Sequence, residues 1–201
     1  MDFALVLNAP DLDVEVKEKY IIAADGGYRL VKNKPVYAVI GDFDTLGYIP
    51  SNVRTITHPV DKDKTDGELC LDFIKNNDGK SVTIYGALEG KIEHVLGNLN
   101  LLAYADHVGL NAKIVGSKNE IYFLTSSLSI DSEAGNMLSI LPFGGEVEFE
   151  ASSGLKYPLD GLKILPYSSL GISNEITIGK VEIKVKNGAC LVIVSKKINK
   201  K

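Results

Sequence analysis

The chain has 201 residues, of which 45% are hydrophobic and 24% charged, with a formal net charge of -4. This composition excludes a disordered chain and a coiled coil, and no apolar run approaches the roughly 18 residues of a membrane span. The acidic balance, relieved only by Lys196-Lys197 and Lys200-Lys201 at the C-terminus, argues against nucleic-acid binding.

In chain order, Phe3–Leu7, Tyr20–Ala24, Tyr37–Ile40, Val82–Tyr85 and Ala112–Val115 are short apolar runs that read as buried strands. Between them, Thr65–Lys75 reads as a helix. Thr65 and Glu68 have capping-box spacing, and Leu69, Cys70, Phe73 and Ile74 share a face. A second helix is predicted from about Ile92 to Asp106, with Ile92, Val95, Leu96, Leu99, Leu102 and Ala103 on its apolar side. Alternating strands and helices imply a mostly parallel α/β sheet domain over residues 1–118. Beyond it the helical periods vanish. Met137–Leu141, Glu146–Glu150, Ile176–Ile178, Val181–Lys186 and Cys190–Ser195 are candidate strands, and Asn187-Gly188 predicts a tight hairpin between the last two. Residues 119–201 are therefore expected to form an all-β domain, an antiparallel β-sandwich. The N-terminus carries no basic leader, and Cys70 and Cys190 lie far apart. A reducing cytoplasm is the expected location.

Acidic residues concentrate in the first part, which holds 18 of the 26 Asp and Glu within residues 1–120. Asp42 and Asp44 follow a strand at a spacing that points both the same way. Asp61 and Asp63 repeat that spacing, and Asp66 falls in the first turn of the helix behind them. Gly86 to His94 joins a strand end to a helix start. In an open parallel sheet, ligands gather beyond the carboxyl ends of strands. Converging carboxylates there need either a cation or shifted pKa values, and short oxygen ligands suit Mg²⁺, which bridges carboxylates to substrate phosphates. Gly26, Gly27, Gly86 and Gly90 would let backbone amides approach those phosphates. Alone, Asp42-Phe43-Asp44 reads equally well as an acidic turn, Asp61 to Lys64 more often as a solvated loop, and Asp25-Gly26-Gly27 most often as a simple turn. His94, with Asn98 one turn later, reads alone more often as a surface residue than as a ligand.

Taken together, Ala23-Ala24-Asp25-Gly26-Gly27, Gly41-Asp42-Phe43-Asp44-Thr45, Asp61-Lys62-Asp63-Lys64-Thr65-Asp66, Gly86 to Leu99, Gly154 to Leu159 and Gly171 to Glu175 resemble the thiamine pyrophosphokinase family. The resemblance implies ATP-dependent transfer of diphosphate to thiamine, giving thiamine diphosphate and AMP, by a homodimer with shared active sites. It implies that Asp42, Asp44 and Asp66 hold Mg²⁺, with Asp63 beside them in the catalytic set. Asp25, Gly26, Gly27, Asp61, Lys64, Thr65, Lys91 and His94 are implied to handle ATP and its phosphates. Glu93, Ser173, Asn174 and Tyr157 are implied to meet thiamine, although Tyr157 reads equally well as core packing. Lys91, Glu93 and Ala87 depart from the family's usual Arg, Asp and Gly, and Lys lacks the bidentate grip of Arg. Asp66 and Glu93 are both open as acceptors of the thiamine hydroxyl proton. Two rivals fit the same residues, a diphosphokinase for a hydroxymethylpterin and a silent thiamine binder.

Overall fold

The structure is a computed structural model that describes residues 1–12 and 14–197. Lys200 and Lys201 of the basic C-terminal cluster lie outside the described residues. The chain divides into two compact units, Met1–Ser117 and the residues from Lys118 onward.

The first unit is a parallel sheet with helical crossovers. Its elements are β1 (Asp2–Val6), β2 (Tyr20–Ala24), α1 (Tyr28–Val31), β3 (Val36–Gly41), β4 (Thr55–Thr57), α2 (Asp66–Asn76), β5 (Ser81–Tyr85), α3 (Ile92–His107) and β6 (Asn111–Val115). The strands run in the order β6-β5-β1-β2-β3-β4, each pair parallel. β1 is central and buried on both faces. Ala4 and Val6 pack with Tyr28, Val31 and Phe43 on one side, while Phe3 and Leu5 turn to the other. The order reverses between β1 and β5, which makes their C-terminal ends a switch point.

Helix α2 starts where its capping box predicts. Thr65 Oγ1 accepts from the Glu68 amide at 3.3 Å, and Glu68 Oε2 accepts from the Thr65 amide at 2.8 Å. Helix α3 departs from the predicted apolar face. Ile92 and Leu96 are 68% and 57% exposed; of the predicted face Leu102 is buried, together with Leu101 and Ala105 in the second half of the helix. Apolar spacing defines a stripe, but only the turns that lie against other elements bury it.

The second unit contains β7 (Asn119–Leu124), β8 (Ser127–Asp131), β9 (Met137–Pro142), β10 (Val147–Ser153), β11 (Lys163–Ile164), β12 (Asn174–Glu175), β13 (Lys180–Asn187) and β14 (Cys190–Ser195). Two antiparallel sheets, β12-β9-β14-β7 and β11-β10-β13-β8, enclose a core that includes Leu138, Ile140, Val147, Phe149, Ile164, Val181 and Val192. Three expectations need correction here. Asn187-Gly188 is not a hairpin, because β13 pairs with β8 and β10, whereas β14 pairs with β7 and β9. The two segments β7–β8 and β13–β14 instead form one long antiparallel ladder that turns a corner from sheet to sheet, with the Val185 amide donating to the Ser126 carbonyl at the bend. Ile176–Ile178 is not a strand. Ile176 makes a lone bridge to Leu155, and the ladder with β9 is made by Asn174 and Glu175. The segments Asn119–Leu124 and Ser127–Asp131, absent from the expected strands, supply β7 and β8.

Candidate active site

The carboxyl ends of β2 and β3 and the start of α2 bring three carboxylates together. Asp25 follows β2, Asp42 follows β3 and Asp66 opens α2. Each offers an oxygen within 4.8 Å of the others. Gly41 makes room for them. A Cβ there would lie 2.9 Å from Asp25 Cβ and 3.1 Å from Asp66 Oδ2. The backbone is bent to reach this arrangement, since Asp25 (φ 39°) and Phe43 (φ 64°) occupy the left-handed region. Such residues cost about 1 kcal/mol or more apiece and collect at functional sites.

Asp25 is buried and does structural work as well, accepting the amides of Thr45 at 3.0 Å and Leu46 at 3.1 Å. It therefore clamps the loop that carries Asp42. Asp44 stands outside the three-carboxylate group. It is exposed, donates its amide to Asp42 Oδ1 at 3.2 Å and accepts from Thr45 Oγ1. Gly26 is buried against Asn8 and Thr45, and Gly27 against the end of β1. A Cβ on Gly27 would lie 2.2 Å from the Val6 carbonyl oxygen, so close packing demands glycine there.

Lys62 was not singled out from the sequence, yet it contacts this cluster. Its Nζ donates to Asp42 Oδ2 at 2.5 Å and lies 3.2 Å from Asp66 Oδ1. The second approach is an ion pair without hydrogen-bond geometry, and Asp66 Oδ1 is left buried with no hydrogen-bond donor. The Lys62–Asp66 spacing of four residues was the available sequence signal. At 4.8 Å two carboxylates repel by about 3 kcal/mol at an effective dielectric near 20. The Lys62 hydrogen bond holds Asp42 below its ordinary carboxylate range, against the upward push of burial. Burial raises Asp66 above that range, outweighing Lys62, and the charges of Asp42 and Asp25 add to the rise. Burial pushes the Lys62 ammonium down, but its pairing with Asp42 and Asp66 wins and raises it. Short oxygen donors around a buried, undonated carboxylate oxygen fit a hard divalent cation.

The remaining first-unit candidates are arranged around this cluster rather than in it. Asp61 and Asp63 are exposed. Lys64 is bound to Asp72 at 2.6 Å and to the Tyr104 hydroxyl at 2.7 Å, which raises its pKa. Thr65 is occupied as the cap of α2. Lys91 is the N-cap residue of α3 without a side-chain cap, and Glu93 and His94 are exposed in its first turn. At the switch point lies a cleft of about 150 Å³, lined by Pro10, Leu12, Val14, Gly86, Leu88 and Val115 among others; it contains none of the three clustered carboxylates.

In the second unit, Tyr157, Ser173 and Asn174 come together. The Asn174 side chain accepts the Tyr157 amide at 3.0 Å and donates to the Tyr157 carbonyl at 2.7 Å. Its oxygen also accepts from the Glu175 amide at 2.9 Å. Asn174 is thus committed to holding the Tyr157 loop. Tyr157 is 60% exposed, so core packing is not its role. Ser173 adopts φ 64° and donates its amide to Ser139 Oγ.

The comparisons with known proteins point one way. The catalytic-domain model of thiamin pyrophosphokinase matches residues 13–114. The vitamin B1 binding-domain model matches residues 125–190. This chain belongs to the thiamin pyrophosphokinase family. It is 28% identical over 171 residues to a thiamine pyrophosphokinase of Bacillus subtilis (strain 168), covering 80% of this chain and 78% of the relative. It is 25% identical to thiamin pyrophosphokinase 1 of Caenorhabditis elegans, covering 84% and 76%. The crystal structure of the Bacillus subtilis enzyme superposes with a TM-score of 0.84 at 22% identity, over 98% of this chain and all of that one. The Geobacillus thermodenitrificans structure gives 0.84 at 23%, covering 99% of each chain. These two likenesses establish the fold.

Proposed function

We propose that this chain catalyses transfer of the terminal diphosphate of ATP to thiamine, giving thiamine diphosphate and AMP. The observation that carries the reading is the match of both family models, catalytic then vitamin B1 binding, along one chain. The thiamine hydroxyl oxygen attacks the β-phosphorus in line with the bridge to the α-phosphate. The new P–O bond forms as that bridge breaks, and AMP leaves with the bridging oxygen. Positioning and charge stabilisation supply most of the rate enhancement in such transfers.

We assign Asp42 and Asp66, with Asp25 beside them, as holders of Mg²⁺, and Asp44 and Asp63 as outer acidic groups that orient it. When bound, the ion neutralises and orients the polyphosphate. Lys91 and the amides opening α3 are assigned to phosphate, with His94, Asp61, Lys64 and Thr65 around them. Gly26 and Gly27 seat the turn that carries Asp25. Tyr157, Ser173 and Glu93 are assigned to thiamine, with Asn174 holding the Tyr157 loop.

We also propose a homodimer with shared sites. The exposed apolar side chains of Tyr167, Leu170 and Ile172 in the second unit support an association surface. A cytoplasmic location is supported by two buried, unlinked cysteines. The test is a product assay. Purified chain with ATP, thiamine and Mg²⁺ should form AMP and thiamine diphosphate in equal amounts. Formation of ADP, equal turnover of hydroxymethylpterin, or no thiamine-dependent product would overturn the reading.

A further inference from the structure

We infer that Lys62 is the resident counter-cation of the carboxylate cluster, and that a divalent cation displaces its ammonium toward the phosphates of the substrate. The inference rests on the diphosphotransferase reading of this site. Three carboxylates whose oxygens lie within 4.8 Å of one another are unstable together without positive charge. Lys62 supplies it, at 2.5 Å from Asp42 and 3.2 Å from Asp66. Its side chain is only 15% exposed, so most of it lies within the protein. The fit is incomplete, since one ammonium cannot serve every oxygen and Asp66 Oδ1 receives no hydrogen bond. A divalent ion bound by the same carboxylates satisfies them better and repels the ammonium from them. The flexible four-carbon stem of lysine allows that departure without moving the backbone. The displaced ammonium then lies beside the polyphosphate that the ion itself attracts. One side chain thus stabilises the metal-free protein and becomes a phosphate-positioning group once metal is bound.

The first test uses the wild-type chain without nucleotide. N-hydroxysuccinimidyl acetate labels accessible lysines, and peptide mass spectrometry reads Lys62 against exposed Lys80. Acetylation of Lys62 should be slow without metal and rise by about tenfold on adding Mn²⁺, while Lys80 does not change. No rise, or a fall, at Lys62 would overturn the inference. The second test measures Mn²⁺ affinity by electron paramagnetic resonance of the free ion. Lys62→Met should bind Mn²⁺ about fivefold more tightly than wild type, because the competing charge is gone, and Lys62→Arg should not. Lys62→Met should also melt at a lower temperature without metal and gain more from Mn²⁺ than wild type does. A folded Lys62→Met chain with equal or weaker affinity would also overturn the inference. If that variant does not fold, labelling of the wild-type chain decides. Neither readout needs turnover. Lost AMP formation with intact labelling would sink the diphosphotransferase reading and leave the ion exchange standing.

Discussion

Asp42 and Asp66 are two carboxylates of one cluster with opposite effects on the metal-free protein. Asp42 has a folded pKa below its ordinary 3.8, so its ionised form stabilises the fold. That contribution is present above about pH 4 and is lost as pH falls through the lowered value. Asp66 has a folded pKa above 3.8, so ionisation opposes folding. Its stabilising effect holds at low pH and is lost as pH rises through the raised value. In chelator at pH 7, Asp42→Asn should therefore lower the melting temperature and Asp66→Asn should raise it. Both should reduce AMP formation by orders of magnitude. Melting curves that move the same way for both would refute the assignment of charge roles. The cysteines give a simpler check. Burial pushes the Cys190 thiol up to about 12, and raises Cys70 strongly, with Asp66 adding to it. Neither should react with a thiol reagent at pH 8 until the protein is unfolded. Rapid labelling of the native chain would contradict that burial.

Among the elements, those with local signals were readable in the sequence. Helix α2 is one, because a capping box and a periodic face agree. Thr65→Ala should cost about 1 kcal/mol in urea unfolding, through loss of the cap. Strands β2 and β14 begin and end at the residues that their apolar runs mark. The Asn187-Gly188 turn was misread because a hairpin and a corner share the same two residues. What separates them is the partner of each flanking strand, and that partner lies far away in sequence. Gly188 takes φ 85°, and a Cβ there would sit 2.1 Å from the Glu146 carbonyl oxygen. Gly188→Ala should thus destabilise by about 2 kcal/mol or more, beyond the cost of a left-handed alanine alone. A near-neutral effect would show that the close approach to Glu146 is not needed. The carboxylates Asp42 and Asp66 were legible from their placement after a strand and at a helix start. Lys62 was not, because its neighbours Asp61, Asp63 and Lys64 make the segment look like a solvated loop. Only its burial against Asp42, just after β3, and Asp66 of α2 sets it apart.

For the whole molecule, the shared-site proposal predicts complementation. Asp42→Asn chains mixed with Tyr157→Ala chains, each impaired alone, should regain activity when subunits exchange. Heterodimer shown by native mass spectrometry without recovered turnover would rule out sharing. The ladder that crosses between the two sheets of the second unit has a further consequence, for folding during synthesis. Asn119 at its start pairs with Ser195 at its end, and their side chains bond across 76 positions of chain. Pairings this distant in sequence slow folding. A ribosome making this chain exposes β7 and β9 long before β14, the strand that lies between them, has been translated. For that interval each presents an unpaired edge, the feature through which nascent chains stick to one another. The parallel ladders of the first unit are all complete once Val115, the end of β6, has been made, and have no such wait. Stalling translation just before Cys190, where β14 begins, should then yield a protease-resistant first unit carrying a protease-sensitive, chaperone-bound tail.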